Sequence, residues 1–277
     1  MKLNKKLRNL LIALACVLVV VSLSLFYLGI GSSTIPVTRS LTGGKDDICL
    51  TAHRGYSAVA PENTGAAIEE AGKAGFYTAE FDIMPTADGV WVLHHDDEVD
   101  RMSDGTGVLE EMTWEEVSKL RIDNGNGIEN YPDLPFTTFE EALAICDKYG
   151  MRAMVEVKGG TPEQMASVLE VLNKQNLQTE PLIIDFDADR LAAVRALDAD
   201  MELWYLKNTI SQEVIDFAKQ HNTGIAFNFG VAENYKMLDA AKAENITLAS
   251  WTVDFPPAMD FLVMNGVKYI TTNKIHP

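Results

Sequence analysis

Cysteine and clustered basic residues are both scarce in this 277-residue chain, and each scarcity excludes a class of protein. The spacing of Cys16, Cys49 and Cys146 fits neither a zinc site nor a disulfide framework, so we expect them to be small buried apolar side chains. The net charge is −17, and no cluster of Lys or Arg follows residue 40. Because nucleic-acid backbones are bound by clustered cations, we expect no nucleic-acid partner. An anionic substrate would be repelled by this negative charge and would need a local cation to offset it, which points towards a bound metal.

The longest uncharged run lies at the N terminus, over residues 10–30. Four basic residues precede it: Lys2, Lys5, Lys6 and Arg8. About 20 apolar residues cross a bilayer, and a basic flank stays cytoplasmic. We therefore predict a cytoplasmic flank and transmembrane anchor over 1–30, a tether over 31–46, and a single-pass protein of the cell membrane whose C-terminal domain is extracytoplasmic. A cleaved secretory signal is the alternative, although its apolar core is usually shorter.

From residue 47 onwards, short apolar runs alternate with helical patterns. The predicted strands cover 48–52, 78–83, 152–157, 182–186, 202–206, 224–227, 247–252 and 268–271. The predicted helices lie near 62–75, 138–149, 162–175, 188–197, 211–220, 232–243 and 257–264. This alternation predicts an α/β fold, a TIM (β/α)8 barrel over 47–277, with an open doubly wound sheet as the alternative. An insertion over about 84–137 follows the second strand, and no helical pattern follows the eighth.

Polar and charged side chains gather where the first three predicted strands end. They are His53, Arg54, Glu80, Asp82, Glu156 and Lys158. Residues i and i+2 of a strand share a face, and the C-terminal strand ends of a barrel form its active-site mouth, so we expect these side chains to converge. Neighbouring carboxylates repel one another unless a cation lies between them. A set of oxygen ligands suits Mg²⁺ or Ca²⁺ rather than zinc.

These residues belong to a longer series of motifs. In chain order the motifs are His53-Arg54-Gly55, Pro61-Glu62-Asn63-Thr64, Glu80-Phe81-Asp82, Asp88-Gly89-x-x-Val92-x-x-His95-Asp96, Arg101 with Gly105-x-Gly107, Glu156-Val157-Lys158 and Trp251-Thr252-Val253. Over residues 48–273 the series resembles the glycerophosphodiester phosphodiesterase family. The chain departs from that pattern at Asn273, where the family usually has Asp, and in lacking the trailing helix. We expect neither departure to touch the predicted metal ligands or catalytic histidines.

The resemblance implies a TIM barrel and a metal-dependent phosphodiesterase that hydrolyses glycerophosphodiesters to glycerol 3-phosphate and an alcohol. It implies one divalent cation, Mg²⁺ or Ca²⁺, on Glu80, Asp82 and Glu156. It also implies two catalytic histidines, His53 and His95, one acting as base and the other as acid. A neighbouring hydroxyl of the glycerol would attack phosphorus, and water would open the resulting cyclic phosphate.

The remaining predicted site residues follow from the chemistry of an anionic ester. Arg54 and Lys158 are expected to bind its phosphate, because charge on the non-bridging oxygens must be neutralised. Trp251 is expected to pack against the glycerol or alcohol portion. Arg101 is expected to brace the insertion. His94 precedes the histidine of the family motif and is expected to face elsewhere.

Other functions stay open at this point. A lysophospholipase D or a lipoteichoic-acid-degrading enzyme would use the same centre, and a membrane anchor favours either. A non-catalytic membrane-tethered module that binds phospholipid headgroups is an alternative of another class. The expected partners are a glycerophosphodiester or lysophospholipid-like substrate and, through the N-terminal helix, the membrane. The sequence indicates neither the alcohol of the substrate nor an oligomeric state.

Overall fold

The computed structural model describes residues 34–36 and 48–277. The strands are β1 (Ile35–Pro36), β2 (Cys49–Ala52), β3 (Thr78–Pro85), β4 (Trp91–Leu93), β5 (Arg152–Val157), β6 (Leu182–Asp185), β7 (Glu202–Lys207), β8 (Thr223–Asn228), β9 (Leu248–Trp251), β10 (Tyr269–Thr272) and β11 (Ile275–His276). The α-helices are α1 (Gly65–Ala74), α2 (Trp114–Val117), α3 (Phe139–Tyr149), α4 (Met165–Lys174), α5 (Ala188–Leu197), α6 (Gln212–His221), α7 (Leu238–Ala243) and α8 (Pro256–Met264). Shorter 3₁₀ segments include Val99–Arg101, Leu109–Glu111, Ile128–Asn130, Pro162–Gln164 and Ala232–Lys236.

Eight parallel strands close into a barrel. The order around it is β2, β3, β5, β6, β7, β8, β9 and β10, and β10 pairs again with β2. Each of the eight strands lies within two residues of its predicted position. The prediction of a TIM barrel is therefore confirmed, and closure between β10 and β2 excludes the open sheet.

The two helices beside the acidic strands begin and end at residues suited to those positions. Thr64 accepts a hydrogen bond at the start of α1, and Gly75 ends that helix with φ 81°. Thr138 and Glu141 form a capping box at the start of α3, and Gly150 ends it with φ 62°. Such caps satisfy backbone groups that a helix end leaves unpaired. The local sequence therefore determines where both helices begin and end.

The alternation of side chains along β3 divides it between two environments. Phe81 and Ile83 point outwards into the layer between barrel and helices, where Phe81 meets Phe139 of α3 edge-on at 6.2 Å between ring centroids. Glu80 and Asp82 lie on the other face, towards the barrel interior. Below them the interior is filled by a separate apolar cluster. Its buried members are Met154, Leu182, Ile184, Trp204, Leu206, Ala226 and Ala249.

The insertion after β3 has a hydrophobic core of its own. β4 pairs with β3 in antiparallel register, with Ile83 opposite Leu93. The buried members of this core are Met84, Val92, Val99, Met102, Leu109, Val117, Ile122 and Phe136. The segment is thus a folded layer that pairs with one barrel strand, and Trp91 and Leu93 of β4 also contribute to the main core.

The two ends of the described chain pair with each other. After β10 the chain forms β11, which pairs in parallel with β1, and Ile35 packs against the main core. No helix within residues 34–36 and 48–277 has the length and apolar character needed to span a bilayer. The predicted anchor, most of the predicted tether and Cys16 lie outside the described residues. Cys49 and Cys146 are free and buried, as expected.

Candidate active site

Three buried carboxylates meet inside the barrel mouth. Glu80 and Asp82 on β3 and Glu156 on β5 each offer an oxygen, and these oxygens lie within 4.8 Å of one another. Asp82 stands opposite Glu156 in the pairing of the two strands. Glu80, Asp82 and Glu156 are 1%, 1% and 9% exposed, respectively. The structure therefore brings together the three residues predicted as metal ligands.

Hydrogen bonds hold the carboxylates of β3 in place. The backbone N–H of Arg54 donates to Glu80 Oε2 at 2.7 Å. Asn63 donates through Nδ2 to Asp82 Oδ2 at 2.8 Å and accepts from the Asp82 N–H at 3.0 Å. Glu80 Oε1 is buried and has no hydrogen-bond partner among the described residues. Since buried polar atoms are nearly always paired, this oxygen fits a metal ligand.

Burial and neighbouring carboxylates destabilise the charged forms of Glu80 and Glu156. Burial, together with the charges of Asp82 and Glu156, raises the pKa of Glu80 well above its usual value. Burial and the charge of Asp82 raise the pKa of Glu156 to about 7. A divalent cation would remove both penalties, because it binds the ionised carboxylates. The buried, oxygen-only donor set fits a hard cation such as Mg²⁺ or Ca²⁺.

These shifts predict that cation binding is linked to proton release. Because binding requires ionised Glu156, affinity should fall as the pH falls through 7, and we expect binding roughly tenfold or more weaker at pH 5.5 than at pH 8. Titration calorimetry in buffers of different ionisation enthalpy measures both affinity and proton release. Glu170→Gln, which removes an exposed ion pair with Lys174 on α4, is the matched control and should change neither quantity. A cation affinity independent of pH would contradict the assignment.

A cavity of about 270 Å³ opens beside the carboxylates, and Glu80 and Glu156 form part of its lining. Two cationic side chains, Arg54 and Lys158, line this cavity as well. The Arg54 guanidinium contacts Glu62 Oε1 at 2.7 Å and Asp82 Oδ2 at 3.5 Å. Lys158 Nζ lies 3.0 Å from Glu156 Oε1. Both residues are thus placed beside the carboxylate cluster, where an anionic group bound to its cation would meet them.

His53 follows β2 and also lines the cavity. Its Nδ1 lies 2.7 Å from Oδ1 of Asn273, the residue that follows β10. Burial and the charge of Arg54 lower the pKa of His53, so its ring is neutral at pH 7. The expectation that Asn273 does not touch a predicted catalytic histidine is wrong, because closing the barrel places the end of β10 beside that of β2.

A chain of hydrogen bonds between side chains joins His95 to Arg54. His95 Nδ1 lies 2.6 Å from Asp96 Oδ1, and Arg101 donates to Asp96 Oδ2 at 2.5 Å. Arg101 also donates to Glu62 Oε1 at 2.6 Å, and Glu62 accepts from Arg54 as well. Hydrogen bonds from Arg101 and His95 lower the pKa of Asp96, although burial acts in the opposite direction. Arg101 thus connects the insertion to the loop after β2, in agreement with its expected role in bracing the insertion, through partners that the sequence did not indicate.

His94 takes no part in the cavity. It is 2% exposed, its Nε2 lies 3.0 Å from the Glu98 carbonyl oxygen, and its ring lies 5.7 Å from that of Phe136. Burial lowers its pKa. The neighbouring His95 lines the cavity instead. The two adjacent histidines therefore face different environments, as the motif register predicts.

Trp251 lines the cavity, and its indole Nε1 is buried without a hydrogen bond among the described residues. Phe186, which the sequence did not single out, packs edge-on against it at 5.6 Å. The inner wall of the cavity is apolar and consists of Met154, Ile184, Leu206, Ala226 and Ala249. The site thus combines a charged side with an aromatic and aliphatic one.

The loop that carries His53 and Arg54 depends on Gly55. This residue has φ +74°, and a Cβ there would lie 2.7 Å from Ala67 of α1. We expect Gly55→Ala to destabilise the protein by roughly 2–5 kcal/mol, because it adds backbone strain to a steric clash. Gly75→Ala is the matched control: its φ is +81° but its Cβ would meet nothing within 4 Å, so it should cost roughly 1–2 kcal/mol. Equal losses in urea unfolding would contradict this account.

Comparison with known proteins identifies relatives of this chain. The model of the glycerophosphoryl diester phosphodiesterase family matches residues 53–276. Human glycerophosphodiester phosphodiesterase 1 is 35% identical over 171 residues, which cover 60% of this chain and 52% of the human protein. The chain thus spans about half the length of that relative. A glycerophosphodiester phosphodiesterase from Caldanaerobacter subterraneus is 26% identical over 227 residues, covering 81% of this chain and 93% of its own.

A solved structure supports the same relationship. A phosphodiesterase from Oleispira antarctica, in complex with the product sn-glycerol-3-phosphate, superposes with a TM-score of 0.75 at 25% identity. The superposition covers 81% of this chain and 92% of that one. The relatives named glycerophosphodiester phosphodiesterases are phosphoric diester hydrolases. With the family model matched over most of the described residues, the chain belongs to the glycerophosphoryl diester phosphodiesterase family.

Proposed function

We propose that this chain is a metal-dependent phosphodiesterase that hydrolyses glycerophosphodiesters to glycerol 3-phosphate and an alcohol. The observation that supports it most is the placement of a buried three-carboxylate cluster, two cations and two histidines around one cavity. The family relationship and the product bound to the Oleispira antarctica relative point to the same substrate class.

The charged side of the cavity suits binding of the phosphodiester group. Glu80, Asp82 and Glu156 would hold Mg²⁺ or Ca²⁺, which when bound neutralises charge on the ester's non-bridging oxygens. Arg54 and Lys158 add positive charge beside that position. Together they favour the extra negative charge that develops at phosphorus during displacement.

The two histidines divide the proton transfers. His53 is neutral at neutral pH, so it accepts the proton of the attacking hydroxyl. His95 donates a proton to the leaving alkoxide as the bond from phosphorus to oxygen breaks. Asp96, which lies 2.6 Å from His95 Nδ1, orients the ring for that transfer.

The apolar wall of the cavity favours a second candidate within the same chemistry, a lysophospholipid-like substrate. Aliphatic side chains and the Phe186–Trp251 pair accommodate a hydrocarbon portion better than a polar alcohol. An assay that compares glycerophosphocholine with lysophosphatidylcholine, and quantifies glycerol 3-phosphate and free alcohol, separates the two substrate classes. The absence of turnover with several diesters and both metals would instead favour a non-catalytic binding module.

We also propose that residues 10–30 anchor the chain in the cell membrane with its barrel outside the cytoplasm. The support is the uncharged run of 21 residues and its basic flank. Membrane fractionation and protease accessibility of intact cells or spheroplasts test this location. Recovery of the full-length chain in the soluble fraction would contradict it.

A further inference from the structure

Behind His53 a line of hydrogen bonds leads away from the cavity to a carboxylate. Asn273 follows β10, and Asp254 lies three residues beyond the end of β9. Asn273 donates to Asp254 twice, through its backbone N–H to Oδ1 at 2.7 Å and through Nδ2 to Oδ2 at 2.8 Å. The Thr272 hydroxyl also donates to Asp254 Oδ1, at 2.9 Å. Asp254 is therefore fixed by three donors from a neighbouring strand end.

This arrangement determines which way the Asn273 amide faces. A carboxylate only accepts hydrogen bonds, so the NH₂ group of Asn273 must face Asp254. The amide oxygen then faces His53 Nδ1 at 2.7 Å, and Ser57 Oγ donates to the same oxygen at 3.2 Å. An amide oxygen only accepts as well, so Nδ1 of His53 must carry a hydrogen. In the neutral ring the lone pair consequently lies on Nε2, which has no hydrogen-bond partner among residues 34–36 and 48–277.

We infer that Asp254 and Asn273 are positioning residues that select the Nδ1–H tautomer of His53 and leave Nε2 as the proton acceptor in the cavity. This inference rests on the proposed function and deepens it. The family pattern that this chain resembles usually has Asp at position 273. Here an uncharged amide contacts the ring, and the carboxylate lies one residue further away. The group that selects the tautomer is thus neutral, and no carboxylate at position 273 contacts the imidazole.

The charged groups that influence the ring electrostatically come from three segments. Arg54 lies on the same segment, Asp82 on β3 and Glu62 in the loop before α1. The carboxylates of Asp82 and Glu62 raise the pKa of His53, whereas the guanidinium of Arg54 lowers it. A carboxylate at position 273 would act on the ring in the same direction as Asp82 and Glu62. The inference can therefore be tested by exchanging the amide at position 273 for a carboxylate.

The tautomer can be measured without turnover, from the imidazole ¹⁵N chemical shifts of the metal-free protein at pH 8. For the wild-type protein we expect protonated Nδ1 and unprotonated Nε2 at His53. Asn273→Leu removes the acceptor, so the ring should become a mixture of tautomers, and kcat should fall by roughly 10²–10⁴-fold with KM nearly unchanged. Asn173→Leu, the same change at an exposed position of α4, is the control and should alter neither.

A reciprocal exchange distinguishes positioning from a structural role. In Asp254→Asn/Asn273→Asp, the amide at position 254 donates to the carboxylate at 273, which still accepts from His53. We expect the Nδ1–H tautomer to persist and kcat to recover to within about tenfold of wild type. The acidic limb of the pH–rate profile should move to higher pH, because an adjacent carboxylate favours the protonated ring.

Each outcome bears on one hypothesis. A wild-type ring with hydrogen on Nε2, or an unchanged tautomer in Asn273→Leu, would overturn the positioning role. Failure of the exchange to restore kcat in a protein with wild-type melting temperature would overturn it as well. The spectra do not depend on catalysis, so an inactive wild-type protein that shows the expected tautomer would count against the proposed function alone.

Discussion

Excess EDTA is expected to lower turnover of glycerophosphodiesters by roughly 10³-fold or more, and added Mg²⁺ or Ca²⁺ should restore it. Without the cation, Glu80, Asp82 and Glu156 would face the anionic substrate directly, and part of the cluster would take up protons because the pKa values of Glu80 and Glu156 are raised. The loss should therefore affect substrate binding as well as the chemical step. Initial rates before and after dialysis against chelator measure it.

The control for this experiment is EDTA saturated beforehand with Ca²⁺ or Mg²⁺, which should have no effect. Asp82→Asn should reproduce most of the loss and resist rescue by added metal, because an uncharged amide is a weaker ligand for a hard cation. Asn63, which pairs with Asp82, can keep both hydrogen bonds in that variant, because the backbone N–H of residue 82 still donates and the new amide oxygen can accept. Full activity in excess chelator would exclude the metal site as part of the reaction.

His95→Ala is expected to reduce kcat on a glycerophosphodiester with an alkyl leaving group by roughly 10²–10⁴-fold, the usual contribution of a general acid. The ring lines the cavity, and Asp96 holds it at 2.6 Å. An alkoxide leaves poorly without a proton, so the step that breaks its bond to phosphorus should slow most. Steady-state kinetics with glycerophosphocholine measure the loss.

The leaving group supplies a sharper version of this test. A p-nitrophenyl ester leaves readily as its anion, so His95→Ala should retain far more of its activity on glycerophospho-p-nitrophenol than on glycerophosphocholine. His221→Ala is the matched control: its ring stacks on Phe217 at the end of α6, and both substrates should turn over normally. Equal losses on the two substrates would show that His95 does not protonate the leaving group.

Much of the fold could be predicted from the sequence because its signals are local. Runs of apolar residues located all eight barrel strands, and Thr64, Gly75, Thr138 and Gly150 delimit two helices through their own backbone preferences. The i, i+2 rule placed Glu80 and Asp82 on one face of β3, and the barrel brought Glu156 to them. Periodicity along single segments was sufficient for each of these results.

The supporting contacts could not be predicted in this way, because they join residues far apart in the chain. Asn273 lies 220 residues after His53, and only the pairing of β10 with β2 brings them together. Glu62 accepts hydrogen bonds from both Arg54 and Arg101, and Arg101 lies in the separately packed insertion. No residue pattern along one segment indicates which distant side chain will accept a given hydrogen bond.

The separate core of the insertion has a consequence for how this protein can lose activity. The three proposed metal ligands lie on barrel strands, whereas His95 follows β4, and its partner Asp96 contacts Arg101 of the insertion. The proposed cation ligands and the proposed proton donor therefore depend on different hydrophobic contacts within one chain. Under the proposed roles, substitutions confined to the insertion core are expected to weaken ester cleavage more than ester binding, so that the two properties could be lost one at a time.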